Sequence, residues 1–393
     1  MTPWHPGRVP SDDPAADRTM LVVNQAGGGS VMMGHGQVSG VLAMGLERAG
    51  LVTDIRGMAD PPRPVQILTA PLPKWNVADA GLQTVRWHLA TAVAARRLVQ
   101  RSLAESRAEL LYLHSHVIAF ALQDVMQKVP TILSVDATVR DWYAMGVWRQ
   151  PHPAPGVVLW PSLASERVAF ARAQLVVAWT EWARRGVLAS APTAKVVTLH
   201  PGLDLTSYRP GPRDERGPVR VLFVGGRFRE KGGNDLMEAV GPLLGDQLRL
   251  DVVTPEATPR GPNVHVHRLQ ANDPQLISLY QQADVLCLPT YADATPWVVL
   301  EALACGTPVV ATSVGGIPDI VPAHDRERLI QPGDVRALRV RLQEVADRGR
   351  DDTSLRQEAR DFVDTRYDAH AQATHLVSLL ADLGRGGRPS SEP

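Results

Sequence analysis

The sequence predicts an α/β protein made of two doubly wound, Rossmann-like domains. Short apolar runs rich in Val, Leu and Ile alternate with longer segments of helical period. A stretch dense in Pro, Gly and charge interrupts this alternation, which then starts again. Strands that are buried on both faces of a parallel sheet read as continuous apolar runs, with the covering helices between them. The length of 393 residues fits two or three domains.

The first series of apolar runs predicts the strands of the first domain. Each run is short, and segments of helical period lie between many of them. The runs are MLVVNQ, VQILTA, LLYLHS, TILSVD, LVVAWT and KVVTLH. We assign residues 19–205 to this domain. The polar, Pro-rich residues 1–18 before it are expected to form a disordered tail.

A linker and a second series of strands are predicted for the rest of the chain. The linker is PGLDLTSYRPGPRDERGPVR, and the runs after it are VRVLFVGG, LRLDVVT, NVHVHRL, DVLCLPT, TPVVAT and ERLIQP. Helical patterns cover Asn234–Leu244, Pro274–Gln282, Asp334–Arg348 and Ser354–Leu383, the last expected to be two helices. We assign residues 206–370 to the second domain, 371–384 to a C-terminal helix and 385–393 to a disordered tail. Whether that helix packs back on the first domain is left open.

Composition argues against several classes of function. Lys plus Arg and Asp plus Glu both total 41, so the net charge does not favour a nucleic-acid partner. The chain has two cysteines, which excludes a disulfide framework and favours a reducing, cytoplasmic compartment. No apolar run approaches the roughly 18–20 residues that span a bilayer, and the N-terminus lacks the apolar core of a signal peptide. Peripheral contact with a membrane stays open.

The segment DVLCLPTYADATPWVVLEALACGTPVVATSVGGIPDI, residues 284–320, predicts strand, loop, helix, strand and a Gly-rich turn. Thr295 and Pro296 fit an N-cap followed by proline at the first helical position. The backbone N–H groups of Trp297 and Val298 would then lack intrahelical partners and form an anion site suited to phosphate. Asp293 lies before the cap and Glu301 one turn after Trp297. Their carboxylates are placed to accept hydrogen bonds from sugar hydroxyls.

The segment VRVLFVGGRFREKGGNDLMEAV, residues 219–240, predicts a strand that runs into a glycine-rich basic turn. The glycines, Gly226 among them, let the backbone pass close to a ligand. Arg227 and Lys231 supply two cations at the carboxyl end of the strand, a planar fork and a mobile point charge. A P-loop is excluded because no Gly-x-x-x-x-Gly-Lys-Ser/Thr sequence occurs.

Two further candidates lie in the first domain. Gly28 and Gly29 belong to a glycine turn between a strand and a helix, where a phosphate or an acceptor can approach closely. His114 and His116 follow LLYL, and the period of two predicts that both lie on one face at the end of a strand. They are conceivable metal ligands, but the sequence shows no matching third ligand run, so no metal site is expected.

These motifs together resemble the retaining GT-B glycosyltransferases of family 4. Asp293-x7-Glu301 resembles the Glu-x7-Glu donor motif of that family, with Asp in place of the first Glu, and the turn at 225–232 resembles its Gly-Arg-(x)n-Lys-Gly element. The resemblance implies that Glu301 holds the ribose of a sugar nucleotide and Asp293 contacts the transferred sugar. It implies that Arg227 and Lys231 neutralise the diphosphate, that His116 reaches the donor sugar, and that Gly28 and Gly29 lie on the acceptor side.

The resemblance implies a GT-B fold, two domains facing across a cleft, and a metal-independent, retaining hexosyltransferase without a cofactor. Its co-substrate would be a nucleoside-diphosphate sugar, and its acceptor a small molecule, a glycan or a lipid-linked sugar. Two alternatives stay open at this point. One is a sugar-nucleotide epimerase or hydrolase of the same fold. The other is a non-catalytic sugar-nucleotide-binding protein, which stays open because Asp293 stands where the family motif has Glu.

Overall fold

The computed structural model describes residues 19–24, 42, 46–47, 52–58, 82–106, 108–146, 155–214, 216–256, 261–350 and 353–384. The contacts divide the chain into unit 1, which is Met1–Gly202 with Ala369–Pro393, and unit 2, which is Leu203–Asp368. Both predicted tails, 1–18 and 385–393, lie outside the described residues, as do Gly28, Gly29 and the predicted strand VQILTA at 65–70.

The described strands of unit 1 form a parallel sheet in the order β2-β1-β3-β4-β5-β6. The strands are β1 Thr19–Asn24, β2 Val52–Gly57, β3 Leu110–His114, β4 Thr131–Val135, β5 Leu175–Ala178 and β6 Val196–Thr198. The helices of unit 1 are Leu82–Ser106, Gln123–Met126, Val139–Ala144, Pro155–Val158, Trp160–Arg172, Glu181–Ser190 and Ala369–Gly384, with a 3₁₀ helix at His116–Ala121. Strand β2 was not predicted.

Alternate side chains of the unit 1 strands enter two separate apolar cores, as the period of two requires. On one face, Leu111 and Leu133 join a cluster that includes Phe170 of the helix Trp160–Arg172. On the other face, Tyr112 and Ile132 join a cluster with side chains of the helix Ala369–Gly384. The final helix therefore packs against the sheet of unit 1.

The described strands of unit 2 also form a parallel sheet, in the order β11-β10-β7-β8-β9. The strands are β7 Val219–Val224, β8 Leu248–Val253, β9 Val264–His267, β10 Val285–Leu288 and β11 Val309–Ala311. The α-helices are Gly233–Val240, Pro274–Gln282, Trp297–Ala304, Ala323–Arg326, Val335–Arg348 and Thr353–Arg366. The strand order reverses between β7 and β10, and ligands of such sheets bind beyond the carboxyl ends of the strands at that point.

Side-chain caps begin several of the helices in both units. Thr180 accepts a hydrogen bond from Ala183 N at 3.1 Å, and Asp334 accepts one from Ala337 N at 2.9 Å. Asp273 accepts one from Gln275 N at 2.8 Å, ahead of Pro274 at the first helical position. Each cap satisfies a backbone donor that has no partner inside its helix.

Two predicted elements differ in the structure. The run ERLIQP does not form a strand, because its Ile330 makes only an isolated bridge with Thr312. The predicted linker is not a free connection, because Leu203 and Tyr208 are each 2% exposed and belong to the core of unit 2. Its many Pro, Gly and charged residues are typical of a linker, but the buried side chains of Leu203 and Tyr208 hold the segment against unit 2. Among the described residues, no helix is long and apolar enough to cross a membrane.

Candidate functional site

The loops that follow β7 and β10 meet at the switch point of the unit 2 sheet. Lys231 Nζ, at the end of the first loop, contacts the carboxylate of Asp293 in the second and donates to Ala292 O at 3.2 Å. Tyr291 N donates to Glu230 O at 3.2 Å, so the two loops also share a backbone hydrogen bond. The basic turn that carries Lys231 and the part of the predicted donor motif that carries Asp293 thus form one cluster.

Two glycines allow these loops to approach each other closely. Gly232 has a φ of +77°, and a Cβ added there would lie 1.9 Å from Pro289 O. Gly315, after β11, has a φ of +55°, and a Cβ there would lie 2.0 Å from Asp293 O. Both positions require glycine, because the left-handed conformation and the contact with a carbonyl each exclude a side chain.

The cations of the site have carboxylate partners within the protein. The Arg227 guanidinium donates to Glu230 Oε2 at 2.9 Å, and Lys231 pairs with Asp293. The Arg227 side chain is 30% exposed and that of Lys231 is 23% exposed, so both face partly into solvent. A Cβ at Gly226 would meet nothing within 4 Å, which leaves open space beside the backbone of the basic turn.

The helix Trp297–Ala304 begins next to Asp293, but Thr295 is not its N-cap. Pro296 occupies that position, and its carbonyl accepts a hydrogen bond from Val299 N at 3.1 Å. The N-cap prediction for Thr295 is therefore wrong by one residue: the carbonyl of the N-cap accepts the first helical bond, and here that carbonyl is the proline's. Thr295 is 6% exposed, and its hydroxyl has no hydrogen-bond partner among the described residues.

Glu301 lies one turn into this helix and is almost completely buried. Its residual exposure is 5%, and its Oε2 accepts a hydrogen bond from the hydroxyl of Tyr280 at 2.7 Å. Burial raises the pKa of Glu301, and the hydrogen bond from Tyr280 opposes that rise. The structure therefore holds this carboxylate in a defined position, through a Tyr280 partner that the sequence analysis did not predict.

The comparisons with known proteins concern this same unit. A sequence model of the family described as glycosyl transferases group 1 matches residues 218–348. The matched residues all lie within unit 2. The chain is 32% identical over 192 residues to D-inositol 3-phosphate glycosyltransferase 1 of Catenulispora acidiphila, covering 41% of this chain and 46% of the relative. It is 30% identical over 182 residues to the D-inositol 3-phosphate glycosyltransferase of Mycolicibacterium smegmatis, covering 41% and 42%. The match thus spans less than half the length of each relative.

Solved structures of similar fold align with both units of the chain. Sucrose-phosphate synthase from Thermosynechococcus elongatus aligns over 94% of this chain and 100% of its own, with a TM-score of 0.66 and 16% identity. Anabaena HepE in complex with UDP and glucose aligns over 93% and 100%, with a TM-score of 0.61 and 14% identity. At these identities the likeness establishes the fold. The predicted GT-B class, with two Rossmann-like α/β domains, is confirmed.

The histidines of unit 1 are placed differently from the prediction. Strand β3 ends at His114, Ser115 adopts a φ of +99°, and His116 begins a 3₁₀ helix. The prediction that both lie on one strand face is wrong, because the period of two does not continue through a residue with positive φ. His116 is 4% exposed, its ring lies beside Phe120 and Phe170, and its Nε2 is 3.1 Å from Glu166 Oε1. Its contact with a donor sugar stays a prediction.

Glu166 is a buried acid that the sequence analysis missed. It is 0% exposed, and its carboxylate also accepts from Val139 N at 2.7 Å and from the Ser190 hydroxyl at 3.2 Å. The sequence signal was slight, since one acid in an amphipathic helix usually faces solvent. Here the carboxylate links Val139, Ser190 and His116. A buried acid is tolerated only with partners of this kind.

We expect Glu166→Gln to lower the free energy of unfolding by about 1–3 kcal/mol, the usual contribution of hydrogen bonds to a charged group. The amide keeps an acceptor for Val139 N but loses the charge that faces His116. Urea denaturation measures the change. Glu181→Gln is the control, because that side chain is 44% exposed in its pair with Arg184 and should contribute little. Equal effects of the two substitutions would contradict a structural role for the buried pair.

Proposed function

We propose that this protein is a glycosyltransferase that moves a hexose from a nucleoside-diphosphate sugar to an acceptor with retention of anomeric configuration. One observation carries the proposal: in a segment that matches the group 1 family, Lys231 and Asp293 meet at the carboxyl ends of β7 and β10. The loops after these strands carry two cations paired with carboxylates, open space at Gly226 and the start of the helix Trp297–Ala304. This combination suits a diphosphate that carries a sugar.

In this proposal the chemistry depends on stabilising the leaving group. A nucleoside diphosphate departs with negative charge, which Arg227, Lys231 and the N–H groups of Trp297 and Val298 stabilise from fixed positions. Donor binding exchanges the partners of the cations, because Lys231 now pairs with Asp293 and Arg227 with Glu230. This exchange requires little movement of the two cations, because both are already held at the site.

The remaining roles are assigned by the type of side chain. Asp293 contacts the transferred sugar, and Glu301 accepts hydrogen bonds from the ribose hydroxyls, as carboxylates do. The Thr295 hydroxyl, which has no hydrogen-bond partner among the described residues, is a further polar group next to the helix start. We propose that the nucleotide sugar is a co-substrate and that no cofactor takes part. We propose that Gly28 and Gly29 serve the acceptor side and that His116 reaches the donor sugar.

A turnover assay tests the proposal. UDP-glucose is the first donor to use, because HepE, of similar fold, was solved with UDP and glucose. D-inositol 3-phosphate belongs in the acceptor panel, because the relatives are named for it. Release of UDP that depends on an acceptor and yields a glycoside supports transfer. Equal release without any acceptor would make the protein a hydrolase, and binding of nucleotide without turnover would make it a sugar-nucleotide-binding protein.

We expect Glu301→Ala to weaken UDP binding at least about tenfold, equivalent to 1.4 kcal/mol. The loss follows from the removal of the acceptor for the ribose hydroxyls. Isothermal titration calorimetry measures it, with Glu344→Ala as the control, because Glu344 pairs with Arg328 and Arg341 in another helix of unit 2. An unchanged dissociation constant in Glu301→Ala would remove Glu301 from the donor site.

A further inference from the structure

We infer that Tyr280 is a positioning residue for the donor site: its hydroxyl holds the Glu301 carboxylate so that the remaining lone pairs accept from the ribose, and the pair thereby favours ribonucleotides over 2′-deoxyribonucleotides. This inference rests on the proposed function, because it assumes that Glu301 contacts a nucleotide. It goes further by naming the group that orients the carboxylate and the substrate feature that the pair distinguishes.

Tyr280 is held by one hydrogen bond of its side chain and one of its backbone. Its hydroxyl donates to Glu301 Oε2 at 2.7 Å, and its backbone carbonyl accepts from the Thr307 hydroxyl at 2.6 Å. Thr307 N in turn donates to Ala302 O at 2.9 Å, within the helix that carries Glu301. The helices Pro274–Gln282 and Trp297–Ala304 are thus joined through one residue, and Tyr280 itself is 0% exposed.

The direction of the Glu301 side chain supports a role at the site. Side chains of a helix lean toward its N-terminus, so the carboxylate of Glu301 lies over the turn that begins at Trp297. An ionised carboxylate has about four lone-pair positions, and the hydrogen bond from Tyr280 uses one of them. With 5% of its surface exposed, Glu301 has little water to orient it, so the protein partner decides where its lone pairs point.

The groups around Glu301 leave Tyr280 as the partner that matters most. The titratable neighbours of Glu301 are Tyr208, Tyr280 and Cys305, and the guanidiniums of Arg356 and Arg360 act on Cys305. The two guanidiniums donate to backbone carbonyls, Arg360 to Ala304 O at 2.7 Å and Arg356 to Ala283 O at 2.9 Å.

Tyr208 has one hydroxyl proton, and it is donated to Asn272 Oδ1 at 2.9 Å. Burial raises the pKa of Glu301, and the contacts with the hydroxyls of Tyr280 and, to a smaller extent, Tyr208 lower it. Removal of the Tyr280 hydroxyl therefore raises the pKa of Glu301 further and reduces the ionised fraction at a given pH.

Titration of Tyr280→Phe with UDP and with 2′-deoxy-UDP tests this inference. The wild-type protein should bind UDP about tenfold more tightly than 2′-deoxy-UDP. In Tyr280→Phe, UDP binding should weaken about fivefold, 2′-deoxy-UDP binding should change little, and the UDP affinity should recover as the pH rises. Tyr367→Phe is the control, because it removes another buried tyrosine hydroxyl in unit 2 without touching Glu301.

A preference and a pH profile in Tyr280→Phe that equal those of the wild type would overturn the inference, and so would a wild-type protein that binds both nucleotides equally. A wild-type protein that binds neither nucleotide would overturn the proposed function and the inference with it. Glu301→Gln, which keeps the volume of the side chain, provides a second test if Tyr280→Phe does not fold. Its UDP binding must lose the pH dependence attributed to Glu301; a retained dependence would overturn the inference.

Discussion

Lys231→Ala is expected to reduce turnover of the nucleotide-sugar donor by at least about a hundredfold. The substitution removes a cation at the position where negative charge develops, and loss of one such donor typically costs about 2.7–4 kcal/mol of transition-state stabilisation. It also leaves the Asp293 carboxylate without the partner it has in the structure. An unpaired carboxylate beside a diphosphate adds repulsion to the lost attraction. Steady-state kinetics with UDP-glucose and UDP titrations measure the two effects.

The double variant Lys231→Ala with Asp293→Ala separates these contributions. If Asp293 repels the diphosphate once Lys231 is gone, the double variant should bind UDP more tightly than Lys231→Ala alone, although turnover stays low. Lys231→Arg keeps the charge but not the geometry of the ammonium group, and an intermediate loss is expected. Wild-type affinity and turnover in Lys231→Ala would show that the loop after β7 does not bind the donor.

The fold could be predicted because its signals are local and repeated. Nearly every apolar run in the described part of the chain became a strand, since parallel strands covered on both faces need apolar side chains throughout. The helix Pro274–Gln282 was predicted to the residue, because Asp273 and Pro274 supply a cap and a fixed φ at its start. The exception is ERLIQP, where Ile330 is only 5% exposed but makes an isolated bridge instead of joining a strand.

Only part of the candidate site could be predicted. Some of its residues stand in short sequence motifs, whereas Tyr280 reaches the site only through packing. Arg227, Lys231, Asp293 and Glu301 stand in short patterns beside strand ends, so their sequence spacing carries information. Tyr280 reads as one more apolar position of an amphipathic helix, and only the packing of that helix shows that its hydroxyl meets a buried carboxylate. Contacts between distant side chains leave no trace in periodicity or spacing.

Gly232→Ala is expected to destabilise unit 2 through both its backbone conformation and a steric contact. At a φ of +77°, the left-handed conformation of an alanine costs about 1–2 kcal/mol of stability. Its Cβ would also lie 1.9 Å from Pro289 O, which forces the loops apart at a typical cost of about 1–3 kcal/mol for overpacking. A combined loss of about 2–5 kcal/mol should lower the unfolding midpoint of a unit of this size by about 10 °C. Calorimetry measures that shift.

Two other glycines separate the causes. Gly217 has a φ of +85° and nothing within 4 Å of an added Cβ, so Gly217→Ala should show the cost of the positive φ without a steric contact. Gly226 has neither the positive φ nor a neighbour within 4 Å, so Gly226→Ala should leave the midpoint unchanged. The excess loss in Gly232→Ala over Gly217→Ala then measures how tightly the loop after β7 is held against the segment after β10. Equal midpoints for these two variants would mean that the loops separate freely, and the contact between Lys231 and Asp293 would no longer define a preformed site.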